Sequence, residues 1–218
     1  MRNHIFLFGP PGSGKDTQGK ILSKILDIPL VSSGEALRDE IANRTEIGVR
    51  FEKCIKNGLL VPDEVMQEFF KTILVRYNLK DGFIFNGFPR TVSQAEFLSH
   101  YLLDVGTNFD CVLYLNVDDK EIIKRISGRL ICRNCDTVYN IYLNPPKNDL
   151  KCDICGENLY RREDDEESVV KKRLDVYYRD TTPLIEYFRS TNNFFEIDGS
   201  GSEEKVTERL LGVIYDRS

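Results

Sequence analysis

Gly9-Pro-Pro-Gly-Ser-Gly14-Lys15 sets the spacing G-x-x-x-x-G-K. In that frame, glycines let backbone N–H groups turn inward and approach phosphate oxygens without a Cβ in the way. A helix opening directly behind the loop adds the partial positive charge of its first turn. Lys15 adds a mobile ammonium suited to β- and γ-phosphate oxygens. The plain alternative is a glycine turn that merely joins a strand to a helix. The chain departs from the usual frame at Asp16, where Ser or Thr is expected, and Thr17 follows one position later. A carboxylate beside phosphates is unfavourable in Coulomb terms, yet welcome at a helix start. It either faces solvent or helps hold a metal ion.

Cys132-x-x-Cys135 and Cys152-x-x-Cys155, with sixteen residues between the pairs, form a second chemical signature. The spacing suits four thiolates around a tetrahedral Zn²⁺. Four thiolates saturate the ion, so the expected role is structural. The surrounding 128–165 segment has too little apolar matter to order itself, and metal binding supplies the missing folding energy. The alternative is a pair of buried or redox-active dithiols. Cys54 and Cys111 sit on apolar patterns and read as core.

The elements that position these groups follow from periodicity. Residues 4–8 read as a buried strand and the helix behind the glycine loop runs from Lys15 to Leu26. Further strands are expected at 30–32, 83–85, 111–117 and 194–197. Two helical patterns occupy 34–58. Further helices are expected at 62–74, 93–103, 118–126 (capped by Asp118), 166–188 and 202–215. Strands alternating with helices predict an α/β fold, a parallel five-stranded sheet with helices on both faces and ligands at the carboxyl ends of the strands. Residues 128–165 break the rhythm and read as an inserted small module.

Bulk properties narrow the classes. The chain has 218 residues, 41% hydrophobic and 30% charged, with a net charge of -5. That balance suits one soluble domain with insertions. It disfavours nucleic-acid binding, which usually needs a basic face. Met1 to Phe8 holds only a short apolar run, and no stretch approaches a membrane span, so a cytoplasmic protein with reduced thiols and no membrane partner is expected.

Several segments in register resemble the adenylate kinases, more narrowly the bacterial form with a long zinc-binding lid. They are GPPGSGKDTQ, SSGEALR at 32–38, GLLVPDE at 58–64, NGFPRTVSQA at 86–95, GRLICRNC at 128–135 and RREDDEESVVKKR at 161–173. The resemblance implies a core of 1–31, 62–127 and 166–218, a nucleoside-monophosphate-binding helical insertion at 32–61, and a zinc-ribbon-like lid at 128–165. It implies ATP contacts from Gly12, Ser13, Gly14, Lys15, Asp16, Thr17, Arg129, Val138, Tyr139 and Gly201. It implies AMP contacts from Ser33, Arg38, Leu59, Leu60, Val61, Gly87, Phe88, Pro89, Arg90, Gln94, Arg162 and Arg173. Lys15, Arg90, Arg125, Arg129, Arg162 and Arg173 would be catalytic. Cys132, Cys135, Cys152 and Cys155 would hold the lid metal. The implied reaction is ATP + AMP ⇌ 2 ADP, with Mg²⁺ carried by ATP, performed by a monomer. Asp164 and Asp165 would lie at the lid hinge, near the nucleotide.

The residues suit those roles on their own terms. Phosphoryl transfer asks for alignment and charge neutralisation, and Arg is always charged, planar and bidentate toward phosphate. Gln94 carries an amide that both donates and accepts, which suits an adenine edge; otherwise it is a surface residue at a helix start. Ser33 is equally a ligand or a helix N-cap. One further departure is Asn86, where the family carries an Asp that positions magnesium through water. The amide lacks the charge, and Asp16 is expected to replace it in part. Asn86-Gly87 is also prone to deamidation. Rival readings are a kinase for UMP, CMP or GMP, one using GTP as donor, or a weakly catalytic ATP-binding regulator, the last on the strength of Asn86 and Asp16.

Overall fold

A computed structural model describes residues 1–216; residues 217 and 218, the end of the expected 166–218 segment, lie outside the described residues. The chain begins with β1 (His4–Phe8), α1 (Lys15–Leu26), β2 (Leu30–Ser32), α2 (Ser33–Ala42) and α3 (Glu46–Lys56). It continues through α4 (Asp63–Leu74), β3 (Phe83–Asn86), α5 (Val92–Asp104), β4 (Cys111–Asn116) and α6 (Asp119–Ser127). Three short strands follow, β5 (Arg129–Cys132), β6 (Val138–Asn140) and β7 (Leu159–Tyr160). The last elements are α7 (Glu167–Val176), α8 (Pro183–Arg189), β8 (Phe194–Asp198) and α9 (Glu203–Tyr215).

Five strands form the expected parallel sheet, in the order β2-β3-β1-β4-β8. Alternation along β1 builds two cores at once. Phe6 and Phe8 face a phenylalanine-rich layer with Phe83, Phe85 and Phe109. Ile5 and Leu7 face an aliphatic layer with Leu22, Leu113 and Leu210. Both faces are covered, so the strands read as nearly continuous apolar runs. The aromatic layer reaches the loop after β3: Phe88 stacks on Phe70 of α4 with ring centroids 4.0 Å apart. The chain reverses its direction of travel across the sheet at β1, flanked by β3 and β4. The loop after β1 therefore opens into the crevice where parallel sheets take ligands.

Two expectations on local structure are corrected. The helix expected over 166–188 is not continuous: α7 ends at Val176, a wider π-type turn spans Tyr177–Thr181, and α8 starts at Pro183. Pro183 has no N–H to continue the ladder, so the helix must break before it. Tyr178, within this turn, is exposed. The helix cap at 32–34 belongs to Ser32, whose Oγ accepts from the Glu35 N–H at 3.3 Å. Residues 128–165 hold an antiparallel sheet in the order β6-β5-β7, too short in each strand to leave a readable period.

Candidate active site

The loop after β1 is shaped by glycine. Gly12 and Gly14 have φ of +78° and +93°, a region that side-chain-bearing residues rarely enter. A Cβ on Gly12 would also lie 2.7 Å from the Ile126 side chain. The loop thereby stays low over α6 and delivers Lys15 and Asp16 to the first turn of α1. The Lys15 Nζ donates to the Pro10 carbonyl at 3.2 Å, folding the ammonium back over the loop.

A cleft of about 560 Å³ opens there. Lys15, Arg38, Arg90, Arg129, Arg162 and Arg173 all line it, together with Leu59, Leu60, Val61, Gly87, Phe88, Pro89 and Gln94. Six cations from separate segments thus meet in one hollow. Three of the arginines are steered by a neighbour. Arg90 Nε donates to the Gly87 carbonyl at 2.7 Å. Arg173 Nη1 donates to the Asp164 carboxylate at 2.9 Å and to the Asp164 carbonyl at 3.0 Å. Arg129 forms a two-pronged ion pair with Asp165. Such forks fix the guanidinium plane.

The charge balance of the cleft is that of a site awaiting anions. Burial pushes the Lys15 ammonium down to about 8; Asp16 opposes this, while Arg90, Arg173 and Arg129 reinforce it. Burial, with Arg173 and Arg38 nearby, brings Arg90 down to about 10. Arg162 and Arg173 are lowered too, burial first and neighbouring cations after. Asp16 is open to the water of the cleft yet ringed by protein. Burial raises its pKa, but Lys15, the Asn86 amide, Arg38 and Arg129 outweigh that and hold it well below the carboxylate range. Asn86 donates Nδ2 to Asp16 Oδ1 at 2.7 Å. Ser13 Oγ, Ser33 Oγ, Asn86 Oδ1 and Arg162 Nε are buried with no partner in the protein, as expected of groups built for ligand or water.

Other expected residues lie elsewhere. Arg125 does not line the cleft; its guanidinium reaches Glu121, the Ser13 carbonyl at 3.2 Å and the Gly199 carbonyl at 3.0 Å, bracing the glycine loop from behind. Tyr139 is buried in the cysteine module, where its hydroxyl accepts from the Asp153 N–H at 2.8 Å and meets Cys152 Sγ at 3.5 Å. Val138 is exposed on the same strand. Gly201 lies in the loop before α9, with φ of +96°. Sequence reasoning missed Asp63, Arg133 and Tyr160. The Arg133 guanidinium lies over the Tyr160 ring, 4.6 Å from its centre, on the wall of the cleft. Their positions beside the cysteine pairs carried no pattern that could single them out. Asp63 looked like an ordinary acidic helix start.

The four cysteines of the second signature converge, with their Sγ atoms all within 4.8 Å of one another. Cys132 and Cys155 approach to 3.4 Å, Cys135 and Cys152 to 3.5 Å. Four sulfurs at ~2.3 Å from a central Zn²⁺ would stand roughly 3.8 Å apart, so the donor set fits.

Comparison with known proteins agrees with this geometry. The adenylate kinase family profile matches residues 7–193. The adenylate kinase of Thermosipho africanus is 44% identical over 212 residues, covering 97% of this chain and 99% of its own. That of Caldicellulosiruptor bescii is 45% identical over 207 residues, covering 95% and 96%. That of Archaeoglobus fulgidus is 42% identical over 212 residues, covering 97% of each. With the phosphate loop, the cationic cleft and the paired cysteines all present in register, this chain belongs to the adenylate kinase family.

Proposed function

We propose that the cleft gathers ATP and AMP end to end and passes the terminal phosphoryl group between them, ATP + AMP ⇌ 2 ADP. The observation that carries this reading is the meeting of Lys15 with five arginines from separate segments in one hollow. Two nucleotides bring several negative charges that repel one another. Only a site of this charge can hold them close enough to react. An AMP phosphate oxygen attacks the γ-phosphorus while the bond from that phosphorus to the β-bridging oxygen breaks, and ADP leaves. The acceptor is already anionic, so no general base is required. Arg90, Arg162 and Arg173 face the transferring group, and Lys15 steadies the β- and γ-oxygens. Mg²⁺ enters with ATP and supplies further charge neutralisation on the phosphates.

The roles divide along the chain. The segments 1–31, 62–127 and 166–218 form the core. Residues 32–61 hold the monophosphate through Ser33, Arg38 and the 59–61 backbone, and Gln94 of the core joins them. Residues 128–165 form a lid ordered by Zn²⁺ on Cys132, Cys135, Cys152 and Cys155. Closure of these two segments excludes water, which would otherwise accept the phosphoryl group. Lys56 of α3 already reaches Glu163, near the end of the lid, at 3.3 Å. We take the enzyme to act as a monomer. We place the enzyme in the cytoplasm, acting on free nucleotides.

A coupled assay of ADP formation from ATP with AMP, UMP, CMP or GMP tests the reading. Preference for AMP is expected. Equal or better turnover of a pyrimidine monophosphate would overturn the acceptor assignment.

A further inference from the structure

Gln94 is only 2% exposed and its amide is held at both ends. Its Oε1 accepts from the Arg90 backbone N–H at 2.8 Å. Its Nε2 donates to Asp63 Oδ1 at 2.7 Å. The other oxygen of Asp63 accepts from the Thr91 hydroxyl at 2.8 Å, and that hydroxyl accepts in turn from the Gln94 N–H at 3.2 Å. Asp63 opens α4 and Thr91 caps α5, so the network ties two helix starts together.

An amide has two lone pairs on oxygen and two hydrogens on nitrogen. One of each is used here. One acceptor and one donor remain, and Gln94 lines the cleft. A half-turn of the amide would exchange them, but it would set Nε2 against the Arg90 N–H and Oε1 against the Asp63 carboxylate. Both contacts would then join like with like. Arg90 N–H only donates and a carboxylate only accepts, so the two act as a lock.

We propose that Asp63, acting through Gln94, sets which purine the monophosphate site accepts; this rests on the reading of the cleft given above. Adenine offers a donor at N6 beside an acceptor at N1. Hypoxanthine and guanine offer the reverse, an acceptor at O6 beside a donor at N1. A locked amide matches one pattern, and a freely turning amide matches either. Asp63 is thus a positioning residue that never touches the substrate.

IMP is the discriminating probe, because it differs from AMP only on that edge. The kcat/KM for AMP and for IMP is measured with ATP as donor on single preparations, so any loss of folded protein cancels in the ratio. Wild type is expected to favour AMP. Asp63→Ala is expected to lower the AMP:IMP ratio by about tenfold, one of the two locking contacts being lost, with the KM for ATP unmoved. Asp63→Asn, equal in size and able to turn its own amide, is expected to lower the ratio less. In a Gln94→Ala background, Asp63→Ala is expected to change the ratio no further. An unchanged ratio in Asp63→Ala, or an equal fall with Gln94 already absent, overturns the proposal and leaves AMP turnover by the wild type standing. Failure of the wild type to use AMP would instead strike the reading of the cleft.

Discussion

Asn86 at the end of β3 and Asp16 at the start of α1 face one another across the floor of the cleft, the Asn86 amide donating to the Asp16 carboxylate at 2.7 Å. The negative charge thus sits on the glycine-loop side, and a neutral amide on the sheet side orients it. If Asp16 helps anchor the metal on ATP, Asp16→Gly should raise the Mg²⁺ needed for half-maximal turnover by about tenfold, the scale of one lost charged contact. Calorimetric titration of ATP in the presence and absence of Mg²⁺ gives the second readout. The tightening by Mg²⁺ should shrink in the variant, and an unchanged difference would sink the idea.

Lys15 imposes a pH signature on ATP binding. In the free protein its ammonium titrates at about 8. Bound phosphates favour the charged form, so above pH 8 binding must take up a proton. The dissociation constant for ATP should be flat below that pH and rise above it, by up to tenfold per unit. Calorimetry at pH 9 in buffers of different ionisation enthalpy should register the proton uptake. Binding without proton uptake there would contradict the assignment.

Arg90 is fixed at the cleft by its bond to the Gly87 carbonyl at 2.7 Å. Arg90→Ala should reduce kcat by roughly 10³-fold or more, the scale for a guanidinium on a transferring phosphoryl group. Its melting temperature should change little by comparison. Near-wild-type transfer would remove Arg90 from the mechanism.

The cysteine module should depend on its metal. A strong chelator at neutral pH should release about one zinc per chain, read by a colorimetric dye, and lower the melting temperature of the lid. Hydrogen exchange in β5 and β6 should accelerate while β1 and β4 stay protected. Uniform exchange before and after chelation would argue against a structural ion.

The sheet was legible because its strands are mostly apolar and the glycine loop, with Lys15, marks where β1 ends. The five strands fall within a residue or so of their expected bounds. The cysteine pairs were legible because their spacing alone restricts the chemistry. Three things were not. The break near Tyr177 depended on Pro183, which lies six residues beyond it in a run that otherwise keeps helical periodicity. The strands β5 to β7 are two to four residues long, below the length at which alternation can be read. Asp63 is indistinguishable in sequence from any acidic residue that favours a helix start; only the fold brings it to Gln94.

The central claim is that one hollow aligns two nucleotides for transfer, and a coupled assay of ADP formation tests it most directly. With ATP and AMP together, the purified chain should form two ADP for each AMP consumed, and Lys15→Ala should abolish this. ADP formation no faster than from ATP alone, or full activity in Lys15→Ala, would contradict the account.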